Sequence, residues 1–469
     1  MNPDLLARFA ALTGPSGSVT DPAALAPYLQ EPRGHWSGRT SLVLRPASVD
    51  EVSAILKLAD ETKTPIVPQG GNTGLVGGQT PHISGDEIVV SLMRLNRIRE
   101  FDAESATLTA EAGVILADIQ AAAAHAGYLF PLALASQGSC QIGGNLSSNA
   151  GGVGALAHGV ARDLCLGLEV VLPGGAVFND LRKLKKDKTG YDLKDLFLGA
   201  EGTLGIITAA VLKLAPAPKG KATAWIGLAS PEKALALFRQ AQAACGPALT
   251  AFELVQDRAL DFALLLPGAP AAPLAGRHDW HVLFEVSSQR SQDDGENLLS
   301  GVLEAAQDNG LIADAVPAAS LGQAAAFWRL RESLSGAQRP QGASIKHDIS
   351  VPVAAIPAFI AQGAALVEKT APGARLVCFG HMGDGNLHFN VSQPEGWQPA
   401  EFTAMTGDVT GAVHDLVRAF GGSISAEHGI GRMKRSELAA TADPTGLMLM
   451  HRIKAAFDPN GIMNPGKVL

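Results

Sequence analysis

Five glycines crowd into residues 68–78 (PQGGNTGLVGG), straight after a short strand-like run, and five more into residues 136–152 (SQGSCQIGGNLSSNAGG). Glycine reaches positive φ and lets backbone N–H groups come close to an anion, so the first loop can form a concave nest for a diphosphate. One such loop alone suits a tight turn packed on itself. Two in one domain point to a large flat or extended cofactor held between them.

Periodicity describes the domain around these loops. Residues 46–60 read as a helix entered through a Pro and a Ser-Val-Asp start, with Val52, Ile55, Leu56 and Ala59 on one face. Strands are expected at 65–68, 87–92, 106–111 and 168–172, and the run 205–214 closes a mixed domain that extends to about residue 215. Residues 215–220 (APAPKG) read as a linker. Beyond it, strand-like runs at 222–228, 281–286 and 376–391 alternate with Ala-rich helical stretches, as in a second, smaller α+β domain. Residues 267–273 read as a surface loop, and the C-terminal fifty residues as helical with a Pro/Gly-rich end. The expected division is 1–215, 216–420 and 421–469.

Composition removes several classes. With 46% hydrophobic and 17% charged residues the chain is globular rather than disordered. Lys and Arg total 37 against 45 Asp and Glu, a formal charge of −8, which argues against a nucleic-acid groove. Cys140, Cys165, Cys245 and Cys378 have neither CxxC spacing nor a disulfide pattern, so a reducing compartment is expected. The N-terminus lacks the cationic start and apolar stretch of a signal peptide, and no apolar run reaches about 18 residues. The expectation is a cytoplasmic protein without an integral membrane segment. Residues 152–157 (GVGALA) match the nicotinamide fingerprint in form, but they follow a loop and no acidic residue sits about twenty positions on. No GxxxxGK[ST] occurs either, so nucleoside triphosphates are excluded on the same footing.

The second half concentrates its chemistry in residues 379–390 (FGHMGDGNLHFN). Asp384-Gly385 is a strong two-residue hairpin signal. A turn centred there pairs His381 with His388, Cβ atoms about 5 Å apart, with Asn390 on the same face. A lone strand histidine is ordinarily a core or surface residue. A facing pair in a chain of 12 histidines can bind one metal ion. Glu427, beside His428 in residues 426–432 (AEHGIGR), offers a third, anionic ligand. Residues 327–335 read as an amphipathic helix placing Arg331 and Ser335 at i, i+4, and Lys346 sits in the strand-like run 344–351. The basic run 182–188 reads as a solvated loop.

The glycine loops, with residues 191–208 (YDLKDLFLGAEGTLGIIT), resemble the FAD domain of the vanillyl-alcohol-oxidase/PCMH flavoprotein superfamily. HMGDGNLHFN and AEHGIGRMK extend the resemblance to its D-2-hydroxyglutarate dehydrogenase branch, an FAD-binding oxidoreductase/transferase type 4 family. It spans about residues 46–467. It implies an α+β fold: a PCMH-type two-part FAD-binding domain, a substrate (cap) domain with an antiparallel sheet, and a C-terminal helical segment returning to the flavin.

The resemblance also implies a site. Pro68, Gly70, Gly71, Asn72, Thr73, Gly74, Leu75 and Gly78 would hold the pyrophosphate. Ser136, Gly138, Ile142, Gly144, Asn145, Ser148 and Gly152 would line the flavin. Glu201, Gly202, Gly205 and Ile207 would lie along the adenosine and pyrophosphate side, with Asn464 in the returning segment. The pyrophosphate loop contains no His, so non-covalent FAD is expected. His381, His388 and Glu427 would bind zinc or another divalent metal, and His428 would be the general base. Asn390 would bind the substrate hydroxyl or carboxylate, and Arg331, Ser335 and Lys346 its distal end. An Arg fork plus a Lys ammonium is the chemistry a second carboxylate requires. Where relatives often carry Arg-Tyr, this chain has Ala157-His158.

The implied reaction oxidises D-2-hydroxyglutarate to 2-oxoglutarate by hydride transfer to flavin N5. Proton removal needs a neutral His428, so turnover should rise with pH through the ordinary imidazole range. Electrons would leave to an acceptor such as electron-transfer flavoprotein or a quinone, and a homodimer is the expected assembly. The nearest alternative is a D-lactate or broad-specificity D-2-hydroxyacid dehydrogenase of the same fold. A non-catalytic flavin-binding subunit would have no use for the histidine and glutamate set.

Overall fold

Ser48 starts the first long core helix, Val49–Thr62, by accepting the Glu51 N–H at 3.2 Å, and Asp50 and Glu51 favour its positive end. Val52, Ile55, Leu56 and Ala59 are all fully buried, as the periodicity requires. Full burial of each larger side chain contributes about 1.5–3 kcal/mol. The helix stops at Lys63, which turns left-handed at φ 54°.

The computed structural model describes residues 2–469, which divide into two units. The first comprises 2–151, 159–216 and 428–469; the second comprises 152–158 and 217–427. The switches at 216/217 and 427/428 compare with the 215/216 and 420/421 read from the sequence, and the short insert 152–158 crosses to the second unit.

In the first unit, Ile66–Gln69 and Val43–Leu44 flank Ile88–Ser91 in parallel, and Ser18–Val19 adds an antiparallel edge. A separate five-stranded antiparallel sheet runs Ile98–Asp102, Thr107–Glu111, Ile206–Lys213, Cys165–Val171, Val177–Asp180. In the basic run, Arg182 pairs with Asp180 and Asp187, and Lys183 reaches Glu100 at 2.6 Å and Asp102 at 2.8 Å. Two of its five cations are therefore answered locally.

The second unit is built on an antiparallel eight-stranded sheet among the described residues. Its order is Asp314–Pro317, Gly220–Leu228, Trp280–Ser288, Leu249–Gln256, Arg375–His381, Asn386–Ser392, with Ser344–Ile345 and Asp348–Ser350 both pairing to the last. Period-2 alternation separates two cores. Phe252, Leu254, Phe284 and Phe389 pack under the helices Pro231–Cys245, Gln292–Asp308 and Ile356–Thr370. Trp225, Val255, Leu283 and Phe379 pack under Asp257–Leu264 and Leu321–Ser333.

Residues 428–469 return to the first unit as a strap. The Ile66 N–H donates to Ile462 O and the Asn464 N–H to Ile66 O, both at 2.8 Å. Lys467 is buried and its Nζ donates to Glu87 Oε1 at 2.8 Å, while Glu87 Oε2 accepts the His82 N–H. Burial pushes the Lys467 ammonium below its usual range, against the pull of Glu87. Lys467→Met should therefore destabilise the protein by about 3 kcal/mol, because a buried carboxylate loses its counter-ion. Adding Glu87→Gln should recover most of that loss in denaturant unfolding; equal losses for the single and double variants would refute the pairing.

Candidate active site

The first glycine loop leaves the strand Ile66–Gln69 and crosses the second at backbone distance. A Cβ on Gly71 would lie 2.1 Å from Ser139 O, so no side chain fits there. The second loop continues into the short helix Ile142–Ser147, where a Cβ on Gly143 would strike Ala112 at 2.5 Å. A third segment arrives at Glu201, held at φ 51°. Its carboxylate accepts N–H groups of Ile430 at 2.7 Å and Gly431 at 2.8 Å. Burial raises its pKa, and those two donors oppose the rise.

These segments line a cavity that opens to solvent, with about 890 Å³ of space counting its open mouth. Pro68, Gly70, Gly71, Asn72, Thr73, Gly74 and Gly78 line it, as do Gly144, Asn145, Ser148, Glu201, Gly202, Gly205 and Ile207. Leu75, Ser136, Gly138 and Ile142 stand outside the lining, and Gly152 lies in the second unit. Asn464 works from behind the wall: its Nδ2 donates to Gly78 O at 2.9 Å and Glu201 O at 2.8 Å. Sequence reasoning missed Gln141 as a lining residue, and placed His428 elsewhere than in this wall. Gln141 Oε1 and Asn145 Oδ1 are buried acceptors without a partner. Such atoms call for donors that the chain does not supply, from a bound group or from water. The hydroxyls and imide N–H of FAD are donors of that kind, so the cavity fits the cofactor.

In the second unit the hairpin closes differently from the two-residue turn read in the sequence. His381 pairs with Asn386, Gly380 with Leu387 and Phe379 with His388, leaving a four-residue loop at 382–385. Other strands take the backbone groups that a tighter turn would use. The Met382 N–H donates to Phe252 O at 3.0 Å, and Gly385 O accepts from Val351 at 3.1 Å. Gly385 turns at φ 90° against Val351 O, where a Cβ would sit 2.2 Å away. The register has moved by two residues, an even number, so parity survives and His381, His388 and Asn390 keep one face.

His381 and His388 are therefore diagonal neighbours, with ring centroids 6.2 Å apart. His381 Nε2 lies 3.4 Å from Glu427 Oε1, and His388 Nε2 lies 3.8 Å from Glu427 Oε2. One ligand atom from each residue falls within 4.8 Å of the other two. Glu427 is held by its own N–H, which donates to Asp348 Oδ2 at 2.9 Å, and by the bridge between Ser350 and Ser423 upstream. Asp348 Oδ1 accepts from Asn386 Nδ2 at 3.0 Å. Burial disfavours charge on both rings. At His381 the Glu253 carboxylate overrides it and raises the pKa to about 10, whereas at His388 burial wins over Glu427 and lowers it to about 4. Two imidazoles and a carboxylate are a donor set suited to a catalytic divalent metal.

The substrate residues are differently distributed. The helix carrying Arg331 ends at Ser333, so Ser335 lies in the turn beyond it rather than on its face. Ser333 Oγ donates to Leu330 O at 2.8 Å, a local bond that competes with helix continuation. Ser335 O instead accepts Lys346 Nζ at 2.8 Å. Asn390 Oδ1 accepts the His347 N–H at 3.0 Å. Arg331 is buried against Glu253, its Nη2 2.7 Å from Oε2, and its Cζ stands 5.2 Å from the Phe379 ring centroid. Glu253 and Asp348 were missed in the sequence. The signal for Glu253 was one acidic residue within the apolar run 249–256.

Residues 40–180 match the FAD binding domain family and residues 217–468 the C-terminal domain of FAD linked oxidases. A D-2-hydroxyglutarate dehydrogenase of Xanthomonas citri pv. viticola is 37% identical over 449 residues, 96% of this chain and 93% of the relative. The mitochondrial D-2-hydroxyglutarate dehydrogenase of Arabidopsis thaliana is 36% identical over 462 residues, covering 98% and 80%. In fold, the chain is similar to p-cresol methylhydroxylase, with a TM-score of 0.77 at 17% identity over 99% of this chain and 96% of that one. Among the described residues no helix is long and apolar enough to cross a membrane.

Gly144 tests the cavity as a cofactor site. It lines the space, and a Cβ built on it meets nothing within 4 Å. Gly144→Leu should purify with an unchanged circular dichroism spectrum but without visible flavin absorbance; full flavin content would mean that the cofactor binds elsewhere.

Proposed function

Because this chain belongs to the D-2-hydroxyglutarate dehydrogenase family of FAD-linked oxidases, and is an FAD-dependent D-2-hydroxyacid dehydrogenase, we propose that it oxidises D-2-hydroxyglutarate to 2-oxoglutarate with a divalent metal, zinc in type, at His381, His388 and Glu427. The convergence of those three ligand atoms within 4.8 Å carries the proposal. FAD, bound without a covalent link, supplies at N5 the acceptor for the hydride that leaves C2. The metal, when bound, supplies Lewis acidity that lowers the pKa of a ligated hydroxyl.

The protein groups do the remaining work. His428, which follows Glu427 in the chain and lines the flavin cavity, takes the hydroxyl proton. Asn390, with its Oδ1 committed to His347, presents its amide nitrogen to the substrate. Lys346, held over Ser335, answers the distal carboxylate together with Arg331. Electron-transfer flavoprotein or a quinone would reoxidise the flavin.

Adding D-2-hydroxyglutarate anaerobically should bleach the flavin. Stripping the metal, or His388→Ala, should stop bleaching while leaving the oxidised flavin spectrum in place. Retained turnover in a sample shown by elemental analysis to be metal-free would return both histidines to a structural role.

Specificity has its own test. A charge-assisted hydrogen bond contributes about 1.5–3 kcal/mol. Lys346→Met should thus lower kcat/KM for D-2-hydroxyglutarate by about 10- to 100-fold and leave D-lactate nearly untouched. His428→Ala should slow both acids alike. An equal loss on both acids for Lys346→Met would place the lysine at the end they share.

A further inference from the structure

Glu253 is the most deeply buried carboxylate of the second unit, with 1% of its surface exposed, in the strand Leu249–Gln256. Its register neighbours are Leu283 on one side and His381 on the other. Both carboxylate oxygens lie 2.8 Å from His381 Nδ1, and one of them, Oε2, also accepts from Arg331 Nε at 2.8 Å. A carboxylate can only accept from the imidazole, so a proton stays on Nδ1, and Nε2, which faces Glu427, is the nitrogen a metal would take. Metal-bound histidines are oriented in this way by the group that holds their second nitrogen.

We infer that Glu253 is a positioning residue of the metal centre: by fixing the tautomer and ring angle of His381 while clamping Arg331, it makes one carboxylate hold both a metal ligand and a substrate-binding guanidinium. The inference rests on the metal reading above. It assigns the guanidinium a built-in counter-charge. Arg331 then offers directed N–H groups but little net charge.

The rival role for Glu253 is mere neutralisation of buried Arg331. Zinc affinity, measured on the metal-stripped full-length protein by competition with a chromophoric chelator, separates the two without any use of activity. Glu253→Gln alone strands Arg331 and invites misfolding, so the decisive variant is Glu253→Gln combined with Arg331→Met, compared with Arg331→Met. Loss of a group that orients a metal ligand weakens affinity by about 10- to 100-fold, and the double variant should bind zinc that much more weakly than the single one. Binding as tight as in Arg331→Met would overturn the inference and leave Glu253 a counter-ion. Should the unmutated protein bind zinc no better than His381→Ala, the metal reading itself falls, and this inference with it.

Discussion

A carboxylate taken out of water must have its charge answered, and this chain uses that requirement to tie distant segments together. Glu87 is answered by Lys467, Glu201 by the N–H groups of Ile430 and Gly431, and Glu253 by Arg331 and His381. Glu111 is answered by Arg97 and Arg99, the latter shared with Glu169. Each contact spans a gap that no helix or hairpin bridges, except the local Glu111 group. The glycine loops could not keep their shape by packing alone, since they carry few apolar side chains. Their shape is fixed by backbone crossing backbone at Gly71 and by polar groups behind them.

What was legible in the sequence was whatever depends on near neighbours. The helix Val49–Thr62 followed from its cap and its 3.6-residue stripe, and the strands around the glycine loops from their short apolar runs. The hairpin that carries His381 and His388 is instructive because its register was read two residues out. Side-chain parity tolerates an even error, so the pair His381 and His388 was still found on one face. A one-residue error would have separated them.

What was not legible depends on pairing between remote strands. Nothing in the run 249–256 says that Glu253 will lie beside His381, 128 residues on. Asp348 finds Asn386 and the Glu427 N–H for the same reason. Ser335 was read one turn too far along its helix because the Ser333 hydroxyl, which diverts a backbone acceptor, leaves no periodic mark. Asn464 was read as a cofactor residue; its Nδ2 donates to the carbonyls of Gly78 and Glu201, links that position along the chain does not reveal, while its Oδ1 is a buried acceptor without a partner.

The strap of residues 428–469 bears on how the molecule is made. A ribosome delivers domains from the N-terminal side, at about 5–20 residues per second, and each tends to fold as it emerges. Here the first unit cannot do so in full. The edge of Ile66–Gln69, the carbonyls of Gly78 and Glu201 and the carboxylate of Glu87 wait for partners that are translated after the whole of the second unit. The cofactor cradle is therefore begun early and closed late: a nascent chain of 427 residues already contains His381, His388 and Glu427 while its flavin wall is still unfinished.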